Sequence, residues 1–160
     1  MVKIYYSFIQ KTQKDSFVKY VTNLFGKYDT IPQEDNFCLG DNYFSVSFSG
    51  EIIMVAVSNQ KSIISLQKIV DIDYKQECLN FCTEKEISKI SNLTGYYILL
   101  TKKQSMAKLL GAKIKDVTFE DDIKNKGSIV KEQSVSSLFD EYVFSMASGG
   151  VLDYEKILIM

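Results

Sequence analysis

The stretch Tyr43-Phe44-Ser45-Val46-Ser47-Phe48-Ser49-Gly50 alternates between apolar and hydroxyl side chains, and beyond a Gly50-Glu51 turn the run Ile52 to Val57 is almost continuously apolar. Alternation with period two belongs to a strand, and an unbroken apolar run of this length fits a strand with both faces covered. The two together predict a hairpin with a buried second strand. Upstream, Lys3 to Ile9 is rich in aromatic and branched residues and reads as a strand. From Lys14 to Phe25 the period changes: Phe17, Val18, Val21 and Phe25 recur at helical spacing before Gly26. The region from Lys27 to Asp41, with the only proline at Pro32, reads as a long surface loop, a flap or a truncated element.

Downstream, extended segments are predicted at Ile63 to Leu66 and at Ile69 to Tyr74, although Asp71 and Asp73 are poor strand formers. Thr83-Glu84-Lys85-Glu86 opens a helix as a capping box, and a longer helix runs from about Gly95 to Leu110 before Gly111. Ser128 to Lys131, Tyr142 to Ala147 and Lys156 to Ile159 read as strands, with a Gly149-Gly150 turn between the last two. The order strand, helix, strands then occurs twice. The expected fold class is α/β (α+β), one domain over 1–160, built of two similar halves: a shorter one over about 1–62 and a second over about 63–160.

Composition narrows the chemistry. The chain has 160 residues, 46% hydrophobic and 24% charged, and so should fold around one core. Its 19 lysines and arginines against 20 acids are scattered, which argues against a nucleic-acid partner. No apolar run is long enough to cross a bilayer and the N-terminus does not resemble a signal peptide, so a cytoplasmic location without membrane association is expected. There is no histidine, which removes Ser-His and Cys-His nucleophile pairs. Cys38, Cys78 and Cys82 read as free thiols, and zinc would lack ligands. Glu120-Asp121-Asp122 reads as solvated surface.

On a helical wheel Tyr96, Leu99, Leu100, Met106, Ala107 and Leu110 share one face, and Lys103 falls inside it. A lysine there must find an acid or a phosphate, or snorkel outward. Gln104 and Lys108 flank the same side, and all three can face one cleft.

The segment Leu99 to Gly111 resembles the signature W-x-x-K-E-x-x-x-K-x-x-G of the 4'-phosphopantetheinyl transferases. Val70-Asp71-Ile72-Asp73-Tyr74-Lys75 is similar to that family's V-G-I-D-I-E strand, Phe44 to Gly50 with Val55 to Ser58 to its F-x-x-S-H-S-G and A-V-S hairpin, and Phe81 to Glu86 to its F-x-x-x-E stretch. The resemblance covers Tyr43 to Gly111. It implies a pseudo-twofold fold whose cleft holds coenzyme A, with magnesium on the pyrophosphate, and transfer of phosphopantetheine to a carrier-protein serine. An acyl or peptidyl carrier protein, or another biosynthetic enzyme, is the implied partner.

By the same resemblance Asp73 matches the first metal-binding acid, while the second is Lys75 and the helix glutamate is Gln104, which cannot take a proton. Phe48, beside Ser47, stands at the coenzyme-contacting histidine, Leu100 at the tryptophan and Asp71 at a glycine; Lys103 and Lys108 keep the family's type. The expected catalytic set is therefore Asp73, Lys75, Lys103 and Gln104, with Ser47, Phe48, Lys103 and Lys108 on coenzyme A and Asp73 as the metal ligand. On a strand, Lys75 would share a face with Asp73, and an ammonium there would repel a dication. Weak or absent magnesium binding is expected, and with it either an Asp73, Lys75, Lys103 and Lys108 anion cluster or a simple Asp73 and Lys75 ion pair. The transfer is expected to be impaired; the alternative is a noncatalytic module that grips a carrier protein or biosynthetic enzyme.

Overall fold

A computed structural model describes residues 1–119, 133–150 and 153–159. The chain forms β1 (Val2–Phe8), α1 (Lys14–Asn23), β2 (Asn36–Leu39), β3 (Asn42–Ser49), β4 (Ile52–Ser58) and β5 (Ser62–Lys68). There follow α2 (Tyr74–Cys78), α3 (Glu84–Lys89), α4 (Leu93–Leu110), β6 (Gln133–Phe139), β7 (Tyr142–Ser148) and β8 (Tyr154–Leu158). It is a mixed α+β fold with two sheets, ordered β2-β3-β4-β1-β8 and β5-β7-β6. All described pairings are antiparallel except β1 with β8.

The hairpin read from the sequence is β3–β4, paired from Tyr43↔Ser58 to Ser49↔Ile52. β4 is buried throughout because its two faces serve different cores. Ile52, Met54 and Ala56 join Val2 and Ile4 from β1 and Ile64, Leu66, Phe144 and Met146 from the second sheet. Ile53, Val55 and Val57 point the other way, onto Phe17, Val18 and Val21 of α1. Beyond the second sheet, Val143 and Ala147 of β7 meet Tyr97 and Met106 of α4. The layers thus run α1, first sheet, second sheet, α4. At about 1.5–3 kcal/mol per large apolar side chain removed from water, these cores supply the main driving force.

Three two-residue hairpin turns place their first residue at positive φ: Gly40 at 59°, Gly50 at 58° and Asp140 at 52°. The supposed loop between Lys27 and Asp41 contains β2, an edge strand that the sequence reading missed. Its pairing with β3 stacks Phe37 on Phe44, with ring centroids 5.2 Å apart.

Two further expectations are corrected. Ile69 to Tyr74 is not a strand: β5 ends at Lys68, and Asp73 is the N-cap of α2, its Oδ1 accepting from the Gln76 N–H at 3.3 Å. A short acidic side chain that bonds the backbone three residues on favours a helix start over a ladder. The face of α4 differs in part. Tyr96, Lys103, Met106 and Ala107 are buried as expected, but Leu110 is 52% exposed while Thr101 and Ser105 are wholly buried. Thr101 fits against β7 because its hydroxyl meets its own Tyr97 carbonyl at 2.9 Å and Ser145 Oγ at 2.6 Å. The Ser128 to Lys131 strand and the Glu120-Asp121-Asp122 run lie outside the described residues. No helix among the described residues is long and apolar enough to cross a membrane.

Candidate functional site

The edge strand β5 of the second sheet meets one face of β3, an interior strand of the first, through side chains. Ser45, Ser47 and Ser49 occupy one face of β3, two residues apart, and accept the backbone N–H groups of Ile64, Leu66 and Lys68 at 3.0, 2.9 and 2.9 Å. The constant separation of 19 residues means that β5 runs parallel to β3. β5 is an edge strand, and alternate residues of an edge strand turn their N–H groups away from the ladder. The serine hydroxyls satisfy those donors where a strand partner would otherwise be needed.

Over this joint lies a cleft of about 850 Å³. Its floor includes Ser47, Phe48, Ser65 and Leu66, and Gln104 enters from α4. Among the described residues five lysines line it: Lys11 just before α1, Lys14 at its start, Lys108 near the end of α4, and Lys113 and Lys115 beyond it. Asp35 is the one acid among the described lining residues, and Lys14 Nζ holds that carboxylate at 2.9 Å. Four lysines are left without a described acidic partner, so the described lining residues carry an excess of positive charge in a chain whose formal net charge is −1.

Gln104 is held in one orientation. Its Oε1 accepts from Ser65 Oγ at 2.5 Å and from Gln67 Nε2 at 3.4 Å. Its amide nitrogen has no acceptor among the described residues. Ser47 is similar, because its oxygen is engaged by the Leu66 N–H and its own proton has no described acceptor.

The expected site residues separate into three places. Ser47, Phe48, Gln104 and Lys108 share the cleft. Asp73 and Lys75 do not reach it; both line a different depression of about 470 Å³ with Cys78, Leu79 and Ile87. Their predicted common strand face does not exist, since Lys75 is the second residue of α2. Lys103 is in neither: it is 0% exposed and its Nζ is 2.7 Å from Glu86 Oε1. The Asp73, Lys75, Lys103 and Lys108 cluster is thus not assembled. Lys11, Lys14, Lys113 and Lys115 were missed because they flank helices, and their sequence separation hides that α1 and the end of α4 face one opening.

The Glu86–Lys103 pair is a structural unit. Glu86 closes the capping box by accepting from the Thr83 N–H at 2.9 Å, and its second oxygen accepts from the Phe119 N–H at 2.8 Å. Lys103 also lies over the Phe81 ring, 5.9 Å from its centroid. Burial pushes the Glu86 carboxyl up, but the hydrogen bond from Lys103 and those from the two amides outweigh it and hold the group below its ordinary value. Nearby, burial raises the Cys78 thiol and pushes Cys82 up to about 12, so both remain protonated and unreactive at neutral pH.

Among the described residues no group of three or more His, Cys, Asp or Glu side chains is arranged to hold a metal ion. No protein-family model matches the chain, and no curated protein matches it by sequence.

Proposed function

We propose that this chain is a 4'-phosphopantetheinyl transferase-like protein whose inter-sheet cleft takes coenzyme A. The observation that carries the reading is the position of the two motif-bearing segments: Val46, Ser47 and Phe48 from one and Gln104, Ala107 and Lys108 from the other line one lysine-rich cleft. The order of elements supports the pseudo-twofold arrangement. β1, α1, β3 and β4 are followed by β5, α4, β6 and β7, and in each set the first strand pairs antiparallel with the last, which pairs with the third. Coenzyme A carries a pyrophosphate and a further phosphate, and lysines serve such groups as point charges.

The cleft residues do not fit magnesium. A hard dication needs several oxygen ligands, usually with carboxylates among them, whereas among the described lining residues the single acid is engaged by Lys14 and five lysines share the space. Of the described lining residues, Gln104 cannot take the proton of an attacking serine and the one carboxylate, Asp35, is engaged by Lys14. These two features favour the noncatalytic form of the reading: a module that binds coenzyme A and grips an acyl or peptidyl carrier protein or a biosynthetic enzyme, with the family transfer impaired.

Incubation with coenzyme A, magnesium and several apo carrier proteins, read by the carrier's mass, tests this. The module reading expects no mass gain together with saturable coenzyme A binding. A phosphopantetheine-sized gain would establish the transferase instead, and no coenzyme A binding would end both forms.

A further inference from the structure

We infer that the floor of the cleft is a metal-independent phosphate site, in which the Gln104 amide and the Ser47 hydroxyl donate to phosphate oxygens neutralised by the surrounding lysines. For its location this rests on the proposed coenzyme A reading, but its argument is a count of donors and acceptors. Gln104 Oε1 is occupied by Ser65 Oγ and Gln67 Nε2, so the atom through which an amide would ligate a metal is already used. What Gln104 has left is its N–H₂ group. The Ser65 proton is spent on Gln104, and the Ser47 oxygen is engaged by Leu66. Ser47 therefore keeps its proton to donate, with one lone pair beside it.

Both residues thus have unspent protons, the amide oxygen of Gln104 is fully used, and the lysines that line the same cleft are donors only. A surface of this kind selects a ligand that only accepts and carries several negative charges. Phosphate and pyrophosphate meet that description, and a hydrated cation does not. Ser65 has a positioning role: its hydroxyl fixes which end of the Gln104 amide faces the opening. Replacement of the expected glutamate by Gln104 is then more than the loss of a charge, because it substitutes a direct donor to phosphate for an indirect contact through metal.

The test is calorimetric titration of the full chain with inorganic pyrophosphate, in EDTA and again with magnesium. Binding is expected in EDTA, weakened by salt, and reduced by about tenfold or more in Gln104→Glu, where a carboxylate replaces the donor while still accepting from Ser65. The double variant Lys108→Gln/Lys113→Gln alters two exposed side chains, so folding is not at stake; it should weaken pyrophosphate binding comparably. Binding seen only with magnesium, affinity unchanged in Gln104→Glu and in the lysine variant, or no pyrophosphate binding would each overturn the inference. A parallel coenzyme A titration separates the two proposals. Pyrophosphate bound in EDTA without any coenzyme A binding upholds this site and ends the coenzyme A reading; coenzyme A bound only with magnesium does the reverse.

Discussion

Replacing Lys103 distinguishes a structural cation from a phosphate-handling one. In Lys103→Met the apolar stem is preserved in length, but Glu86 loses its 2.7 Å partner in a site where both side chains are 0% exposed. Removing one member of a buried pair costs about 3–5 kcal/mol in general. Here the Thr83 and Phe119 amides still donate to Glu86, so the lower end, about 3 kcal/mol, is expected. In Glu86→Ala the ammonium keeps no described acceptor and both amides lose theirs, so that variant should cost more, about 5 kcal/mol or above. For a chain of this size 1 kcal/mol moves Tm by roughly 2–4 °C, so Lys103→Met should fall by roughly 6–12 °C.

The pH dependence has a definite sign. The folded-state pKa of Glu86 is lowered, so its contribution is present above the unfolded carboxyl value and is lost as pH falls through the folded one. Urea titrations between neutral and acid pH should show this loss in the wild type and a flatter acid limb in Lys103→Met. A Lys103→Met protein of unchanged stability that no longer binds coenzyme A would refute the reasoning and return Lys103 to the site.

The serine joint makes a graded prediction. Ser45→Ala leaves the buried Ile64 N–H without its acceptor and should cost about 1–3 kcal/mol, whereas Ser47→Ala at the cleft floor, where water can replace the hydroxyl, should cost less in urea denaturation. Gly50→Ala places a Cβ at φ +58° against the Tyr142 hydroxyl, which also accepts from the Glu51 N–H; a loss of about 1–3 kcal/mol is expected by thermal melting. Iodoacetamide at neutral pH should label exposed Cys38 and leave Cys78 and Cys82 unmodified until the protein is unfolded, as read by peptide mass.

The hairpin at Tyr43 to Val57 was legible because periodicity reports the element directly: β3 alternates and the doubly apolar β4 is buried throughout. Their partner was not legible. That Ser45, Ser47 and Ser49 face the N–H groups of β5 depends on how the sheets are stacked, and a serine-rich strand face reads on its own as solvent-facing. Lys103 shows the same division. Its place in an apolar face left an acid, a phosphate or snorkelling open; Glu86, 17 residues away, was visible as a capping residue and as part of the Phe81 to Glu86 stretch, and nothing in the sequence paired the two. Asp73 failed for a local reason, since Val70 to Lys75 has strand-forming residues around an aspartate that caps a helix more favourably than it extends a strand. The lysines of the cleft come from segments about 100 residues apart, and only the fold brings them together.

A crystal structure of the chain soaked with coenzyme A tests the central claim most directly. The account predicts phosphate density over Ser47 and Gln104, with the ammonium groups of Lys108 and Lys14 turned toward it. Coenzyme A seated instead in the depression beside Asp73 and Lys75, with the inter-sheet cleft empty, would contradict it.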